Sequence, residues 1–267
     1  MSVTVATWNI NSVRLRIDLV THFLKEHGPD VLCLQETKCQ DDQFPLAAFR
    51  KAGYAHAAIH GQKGYHGVAV VSRLPIASWS AKSFCGKTDA RHVAATLGPE
   101  GGGVTVHNFY VPAGGDVPDP LENEKFAHKL SFLDEMKAWG EADRPAASKA
   151  ILVGDLNVAP LENDVWSHKQ MLKVVSHTPI ETGKLEAARS GGGWVDAVRT
   201  LKPEPEKVYT WWSYRAADWA AADRGRRLDH VWVSPDLAGS LGEVSILREA
   251  RGWERPSDHV PVMLTLR

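Results

Sequence analysis

The chain has 267 residues, 43% of them hydrophobic and 24% charged, which excludes wholesale disorder and suits one large α/β or sandwich domain spanning 1–267. Thirty-two acidic side chains stand against 31 basic ones, a formal net charge of −1, so no whole-surface positive field exists to hold a polyanion and any nucleic-acid contact must come from locally placed Lys and Arg. Cys33, Cys39 and Cys85 form no CxxC pair, and the first residues show no basic leader before an apolar run, so a zinc ribbon, a disulfide scaffold and a membrane span are all disfavoured and a cytoplasmic, monomeric protein is expected.

Short strand-like runs recur along the chain. Residues 3–10 read as a strand ending in polar residues, and 13–27 follow with helical spacing at Val13, Ile17, Val20 and Leu24, closing at Gly28-Pro29. The apolar run 31–34 predicts a buried strand that ends in Gln35-Glu36-Thr37-Lys38. Residues 66–72, 90–97 and 104–110 predict further strands, with Gly101-Gly102-Gly103 turning a hairpin between the last two. An amphipathic helix is predicted over 122–139, with Phe126, Leu130, Leu133 and Met136 on one face. A connector at 142–148 leads to a buried strand around 151–153, which runs into Gly154-Asp155-Leu156-Asn157. Strands are predicted again at 208–212, 227–233, 244–247 and 260–266. Mixed strands and helices without a low-complexity linker imply two sheets with helices outside.

The polar residues fall at the ends of these strands. Asn9, Glu36, Asp155, Asn157 and Asp258 each lie at or beside a strand end, where α/β folds form ligand crevices. If they converge, three carboxylates and two amides share one site, and the carboxylates need a cation to offset their repulsion. An all-oxygen set without a Cys/His cluster favours Mg²⁺, with Mn²⁺ as substitute, over zinc. Singly, each residue has an ordinary structural explanation, Gly-Asp-Leu-Asn being a good turn and Asp258 a plausible strand cap; their joint occurrence is what points to a site. Asp229 sits in an apolar run where an unpaired carboxylate is costly, and a buried Asp beside His259 would orient the imidazole as in a catalytic triad. A structural ion pair, or His230 as the relevant imidazole, remains the alternative at this stage.

Seven strings carry a resemblance: Trp8-Asn9-Ile10-Asn11, Leu34-Gln35-Glu36-Thr37-Lys38, Tyr65-His66-Gly67-Val68-Ala69, Tyr110-Val111-Pro112, Gly154-Asp155-Leu156-Asn157, Arg227-Leu228-Asp229 and Ser257-Asp258-His259-Val260-Pro261. In this order they resemble the exonuclease III family of bacterial abasic-site endonucleases, within the endonuclease/exonuclease/phosphatase superfamily. The resemblance implies a four-layered α/β sandwich and a Mg²⁺-dependent DNA-repair nuclease. Such an enzyme cleaves the phosphodiester 5′ to abasic sites in duplex DNA, with 3′-end trimming as a companion activity. It implies Glu36 as principal metal ligand, with Asn9, Asp258, Asp155, Asn157 and His259 around it. It also implies Asp155 in proton transfer, and Tyr110, Asn157, His259 and Asp229 at the scissile phosphate, with the base being either Asp155 or the His259–Asp229 pair. DNA contacts are implied for Asn11, Lys38, Arg91, Trp211, Trp219 and Arg224. A phosphatase of the same superfamily on a non-DNA substrate, and a noncatalytic DNA-binding module, are the rival readings.

One departure stands out. The family commonly places an amide after Tyr-x-Pro, where this chain has Ala113, so a DNA contact from that position is not expected. Ten tryptophans are present, of which Trp8, Trp194 and Trp232 lie in apolar company and predict core, and Trp212 is expected to pack inward. Trp211 and Trp219 stand near Arg215, Arg224, Arg226 and Arg227, and aromatic faces beside guanidinium groups suit a displaced sugar or stacked base.

Overall fold

A computed structural model describes residues 2–143 and 148–267. Among the described residues, twelve strands form two six-stranded sheets. The first holds β1 (Val3–Asn9), β2 (Val31–Gln35), β3 (His56–His60), β4 (Val68–Ser72), β11 (Leu241–Ile246) and β12 (Val262–Leu266), in the order β11-β12-β1-β2-β4-β3. The second holds β5 (Ile76–Ser80), β6 (His92–Leu97), β7 (Thr105–Tyr110), β8 (Ala150–Asp155), β9 (Val195–Asp196) and β10 (Asp229–Val233), in the order β5-β6-β7-β8-β10-β9. The sheets are mixed in the same way: each has one parallel pair at its centre, β1 with β2 and β7 with β8, flanked by antiparallel strands.

The sheets pack face to face through branched side chains, among them Val5, Val31, Cys33 and Val70 from the first and Val106, Ile151, Val153 and Val231 from the second. The alternate residues of the same strands face outward. Ala6, Trp8, Leu32 and Leu34 meet Val20, Phe23 and Leu24 of helix α1 (Ile17–His27) and Phe49 of α2 (Leu46–Lys51). On the other side Phe109, Leu152 and Trp232 meet Phe132, Leu133 and Met136 of α3 (Glu124–Asp143). Four further helices follow: α4 (His168–Met171), α5 (Pro179–Gly191), α6 (Ala197–Leu201) and α7 (Trp219–Ala222). With both faces of each sheet covered, the four-layered sandwich expected above is the observed fold. Among the described residues no helix is long and apolar enough to cross a membrane.

Several boundaries move. Helix α1 starts at Ile17 rather than Val13, because Asn11 and Ser12 take positive φ (48° and 86°) and the chain needs a turn before it can enter the helix. It ends where expected, on Gly28 in the left-handed conformation. Residues 208–212 are not a strand. Their backbone bonds switch partners instead, Thr210 and Trp211 N–H donating to Arg226 O while Trp212 N–H donates to Asp258 O and Thr210 O accepts from Val260 N–H. Such a stretch stitches two loops together and cannot continue a ladder. The connector expected at 142–148 falls largely on 144–147, outside the described residues.

Candidate active site

The two parallel pairs end at the same rim of the sandwich. Asn9 is the last residue of β1, and Glu36 follows β2 directly. Tyr110 and Asp155 are the last residues of β7 and β8 and face one another in register, and Asp155 is also in register with Asp229, the first residue of β10. Asp258 and His259 precede β12. A side chain at position 154 would meet the Phe109 carbonyl oxygen at 1.9 Å, and φ there is +136°; glycine is what lets β8 run against β7 up to Asp155. Past the strand ends the backbone is unusual: Glu36, Lys38 and Asn157 all take positive φ (50°, 51° and 55°). Asparagine tolerates such angles, but Glu and Lys hold them where their surroundings enforce them, and such residues cluster at functional sites.

Asn9 joins the two sheets. Its Nδ2 donates to Glu36 Oε1 at 3.0 Å and to Asp155 Oδ2 at 2.9 Å, while its Oδ1 accepts from Asn11 N–H. Glu36 also accepts from Tyr110 OH at 2.9 Å and pairs with Lys38 Nζ at 2.8 Å. Lys38 donates to Asn11 Oδ1, Asn11 Nδ2 reaches Asp258 Oδ1 at 3.3 Å, and Trp211 Nε1 donates to Asp258 Oδ2 at 2.9 Å. Glu36, Asp155 and Asp258 therefore share one cavity of about 580 Å³, with Tyr110, Asn157 and His259 in its wall. Burial pushes the Glu36 carboxyl upward, but the Lys38 ammonium and the donors from Asn9 and Lys38 leave it below its ordinary value. Tyr110 is driven well above 10 by burial and by Glu36 and Asp155, so it stays a neutral donor.

A second set of charges backs the first. His259 Nδ1 lies 2.8 Å from Asp229 Oδ2, and its Nε2 lies 3.6 Å from Asp155 Oδ2. Trp8 Nε1 holds the His259 carbonyl, and Ser257 Oγ bridges the Asn9 carbonyl and the His259 N–H, locking the turn to β1. Burial disfavours the imidazolium, but Asp229 and Asp155 outweigh it and carry the pKa to about 10. Asp155 is raised to about 7, by burial first and then by Asp229 and Glu36, against the lowering effect of His259. His230 is not the paired imidazole. Its Nε2 bonds the Val158 carbonyl, and burial takes its pKa down to about 4, so it stays neutral.

The oxygen donors suit a hard divalent cation. Donors already converge on the carboxylates as a cation would, and Asp155 keeps an elevated pKa that a cation would relieve. Asp155, Asp229 and His259 also bring their ligand atoms within 4.8 Å of one another, but the His259–Asp229 contact is fully buried and already a charge pair. Of the two roles the resemblance implied for Asn157, the geometry favours the one beside the metal. Both hydrogens of its Nδ2 go to protein acceptors, Val111 O at 2.9 Å and Asp155 Oδ2 at 3.1 Å, so Oδ1 is the atom left for a ligand. An acceptor there suits a cation or a hydroxyl better than a phosphate oxygen. Asn9 would have to rotate its amide to offer an oxygen.

The cavity wall corrects two of the implied DNA contacts. Trp219 is not in it; the ring packs edge-on to Trp212 and under the guanidinium groups of Arg248 and Arg251, against the outer face of the first sheet. Trp166 stands in the wall instead, with Arg224 4.8 Å over its ring, beside Trp211 with Arg226 at 4.9 Å. Arg215 completes the basic lining. Arg91 is only 6% exposed and lies 5.0 Å from the Tyr110 ring, bonded to Tyr110 O and Asp89, so it holds Tyr110 rather than facing a ligand. Asn11 and Lys38 are at the rim, Arg224 and Trp211 in the wall, and Ala113 lines the floor. Sequence reading missed Trp166, which belongs to no motif, whereas Arg226 was among the arginines noted beside Trp211.

Comparison with known proteins agrees with this geometry. The profile of the Endonuclease/Exonuclease/phosphatase family matches residues 6–259. Exodeoxyribonuclease III of Haemophilus influenzae is 30% identical, the match covering 96% of this chain and 97% of that protein. Among solved structures, an AP endonuclease from Archaeoglobus fulgidus superposes with a TM-score of 0.90 at 31% identity, covering 99% of both chains. A 3′ phosphatase from Neisseria bound to a product DNA hairpin does so with a TM-score of 0.90 at 32% identity, again covering 99% of both.

Proposed function

Because the chain belongs to the endonuclease/exonuclease/phosphatase family, in its exodeoxyribonuclease III branch, we propose that it hydrolyses the phosphodiester 5′ to abasic sites in duplex DNA and processes 3′ ends with the same groups, using Mg²⁺ or Mn²⁺. The observation that carries this reading is the position of Asp155. It touches the Asn9–Glu36 cluster on one side and the His259–Asp229 pair on the other, in a cavity walled by indole and guanidinium groups. The processing of 3′ ends is supported by the relatives, which include a 3′ phosphatase and a 3′-5′ exonuclease from Neisseria.

Glu36 would hold the cation, with Asp155, Asp258 and the Asn157 Oδ1 as further oxygen donors. When bound it supplies positive charge to the phosphate oxygens. The remaining work falls to the chain itself. The His259 imidazolium, kept protonated by Asp229 and Asp155, is placed to donate from Nε2 to a non-bridging oxygen; the neutral Tyr110 OH, which donates to Glu36, would turn its single hydrogen to the phosphate once a cation takes Glu36. Burial raises the Asp155 carboxyl above its ordinary value, and from its place between the two clusters it can take a proton from the attacking water or return one to the leaving 3′ oxygen. Trp166, Trp211, Arg215, Arg224 and Arg226 supply local charge and flat faces for the sugar and flanking backbone, which a chain of net charge −1 must concentrate at the site.

The test uses end-labelled duplexes with and without an abasic site, alongside a soluble phosphomonoester. Cleavage 5′ to the abasic site is expected in Mg²⁺, is abolished by EDTA, and is lost in Asp155→Asn while the protein stays folded. Near-normal turnover by that variant, indifference to EDTA, or a preference for the phosphomonoester would refute the reading.

A further inference from the structure

Helix α3 carries a lysine where its apolar face should be. Lys129 stands among Phe126, Leu130 and Leu133 with its side chain 0% exposed. A hydrophobic residue would fill that place without the cost of burying a charge. Its ammonium is fully used: Nζ donates to Glu181 at 2.5 Å, to the Asn157 carbonyl at 2.7 Å and to the Ala113 carbonyl at 3.3 Å. Glu181, on α5 and equally buried, accepts in turn from Ser176 N–H at 2.9 and 3.0 Å and from the Thr178 hydroxyl at 2.6 Å. Capping of α5 explains the Thr178–Glu181 contacts but gives no reason for a lysine.

Directly, and through Glu181, the ammonium ties three loops beyond the strand ends, the one after β7 (Ala113), the one after β8 (Asn157) and the one before α5 (Ser176), adding to the Asn157–Val111 and Ala159–Ser176 bonds between them. Each contributes to the cavity wall, whereas Lys129 itself does not reach the cavity. The fit is close, since a Cβ at Gly114 would come within 2.8 Å of the Lys129 Cδ. Asn157 is the joined residue with the least freedom to spare. Its φ of 55° is left-handed, a conformation asparagine tolerates, and its two peptide groups are held by Asp155 Oδ1 on the N–H at 3.0 Å and by Lys129 on the carbonyl.

We propose that the Lys129–Glu181 pair is a positioning device for Asn157, fixing the backbone from which that amide enters the cavity. The inference rests on the proposed function, in which the Asn157 Oδ1 is an oxygen donor to the catalytic cation. Displacement of a working group by about 1 Å costs on the order of 10²-fold in rate. The experiment is a cycle of kcat and KM on an abasic duplex for wild type, Asn157→Ala, the pair Lys129→Met/Glu181→Gln, and all three substitutions together. Replacing both partners leaves no unpaired buried charge. Expected are kcat losses on the order of 10- to 100-fold for Asn157→Ala and for the pair, with KM nearly unchanged, and no further loss when they are combined. A purely structural pair would instead lower kcat by the product of the two effects, or not at all, and either result overturns the proposal. Should the pair melt below assay temperature, Glu181→Asp, which keeps the charge but withdraws the carboxylate, must show the same non-additivity with Asn157→Ala. Wild-type kcat in Asn157→Ala alone would sink the reading of Asn157 itself, and the inference with it.

Discussion

Asp229→Asn separates two roles that His259 could play. The carboxylate is buried and holds His259 Nδ1 at 2.8 Å, and the Thr210 hydroxyl fixes the Asp229 backbone, so the asparagine oxygen can keep the imidazole oriented while the charge is lost. For charge centres about 4 Å apart at an effective dielectric of about 20, that charge is worth about 4 kcal/mol, or about 3 pKa units. The imidazolium, raised to about 10 in the wild type, would then titrate near pH 7. If the protonated ring is the working form, the variant is slowed about 30-fold at pH 8.5 and approaches wild type near pH 6, because protonation is complete below the lowered pKa and lost above it. The assay is single-turnover cleavage of an end-labelled duplex carrying a tetrahydrofuran abasic analogue, from pH 6 to 10 in saturating Mg²⁺. A deficit concentrated at low pH would refute the argument, since neutral imidazole would then be doing the work as a base. A deficit independent of pH would show that only orientation matters.

Two other outcomes follow from side-chain placement. Trp166→Ala should weaken binding of an abasic duplex by about 10-fold, the scale of one lost stacking face, whereas Trp219→Ala should leave affinity intact and cost about 2 kcal/mol of stability; anisotropy titration and thermal melts distinguish them, and the reverse pattern would contradict the assigned wall. The half-buried His107 and the fully buried His230 are neutral, with pKa values lowered to about 4 by desolvation and, for His230, by Arg227 as well. Their folded pKa lies below the unfolded 6.5, so the stability they confer is whole above that pH and is lost as pH falls toward 4; the loss is about 2 kcal/mol each by pH 5, visible as a Tm drop of roughly 10 °C that a flat Tm from pH 7 to 5 would disprove.

The parts of the site that lie within one strand and its next few residues were readable locally. Apolar runs ending in Asn9, Glu36 and Gly154-Asp155 mark buried strands whose polar residues fall where the ladder stops, because a carboxylate cannot sit in the dry body of the sandwich. Ser257-Asp258-His259 was readable for the same reason, as polar residues just before the last strand. The capping box of Thr178 and Glu181 was equally local, though it passed unread, and so were the short edge strands β3 and β5, which carry little apolar pattern.

Other features depend on contacts between distant residues. Lys129 falls at apolar-face spacing in α3, a mismatch the chain alone does not explain, and only the approach of α5 and of the loops after β7 and β8 turns it into a buried junction. Trp219 and Trp166 have similar local surroundings in aromatic and basic residues, but one packs behind the first sheet and the other opens on the cavity. Arg91 likewise gives no local sign that it lies beneath Tyr110. Local pattern records which residues must leave water and at what period. Which partner a charge or a ring then finds is set by how the two sheets and the loops at their shared rim come together, and that is a property of the whole chain.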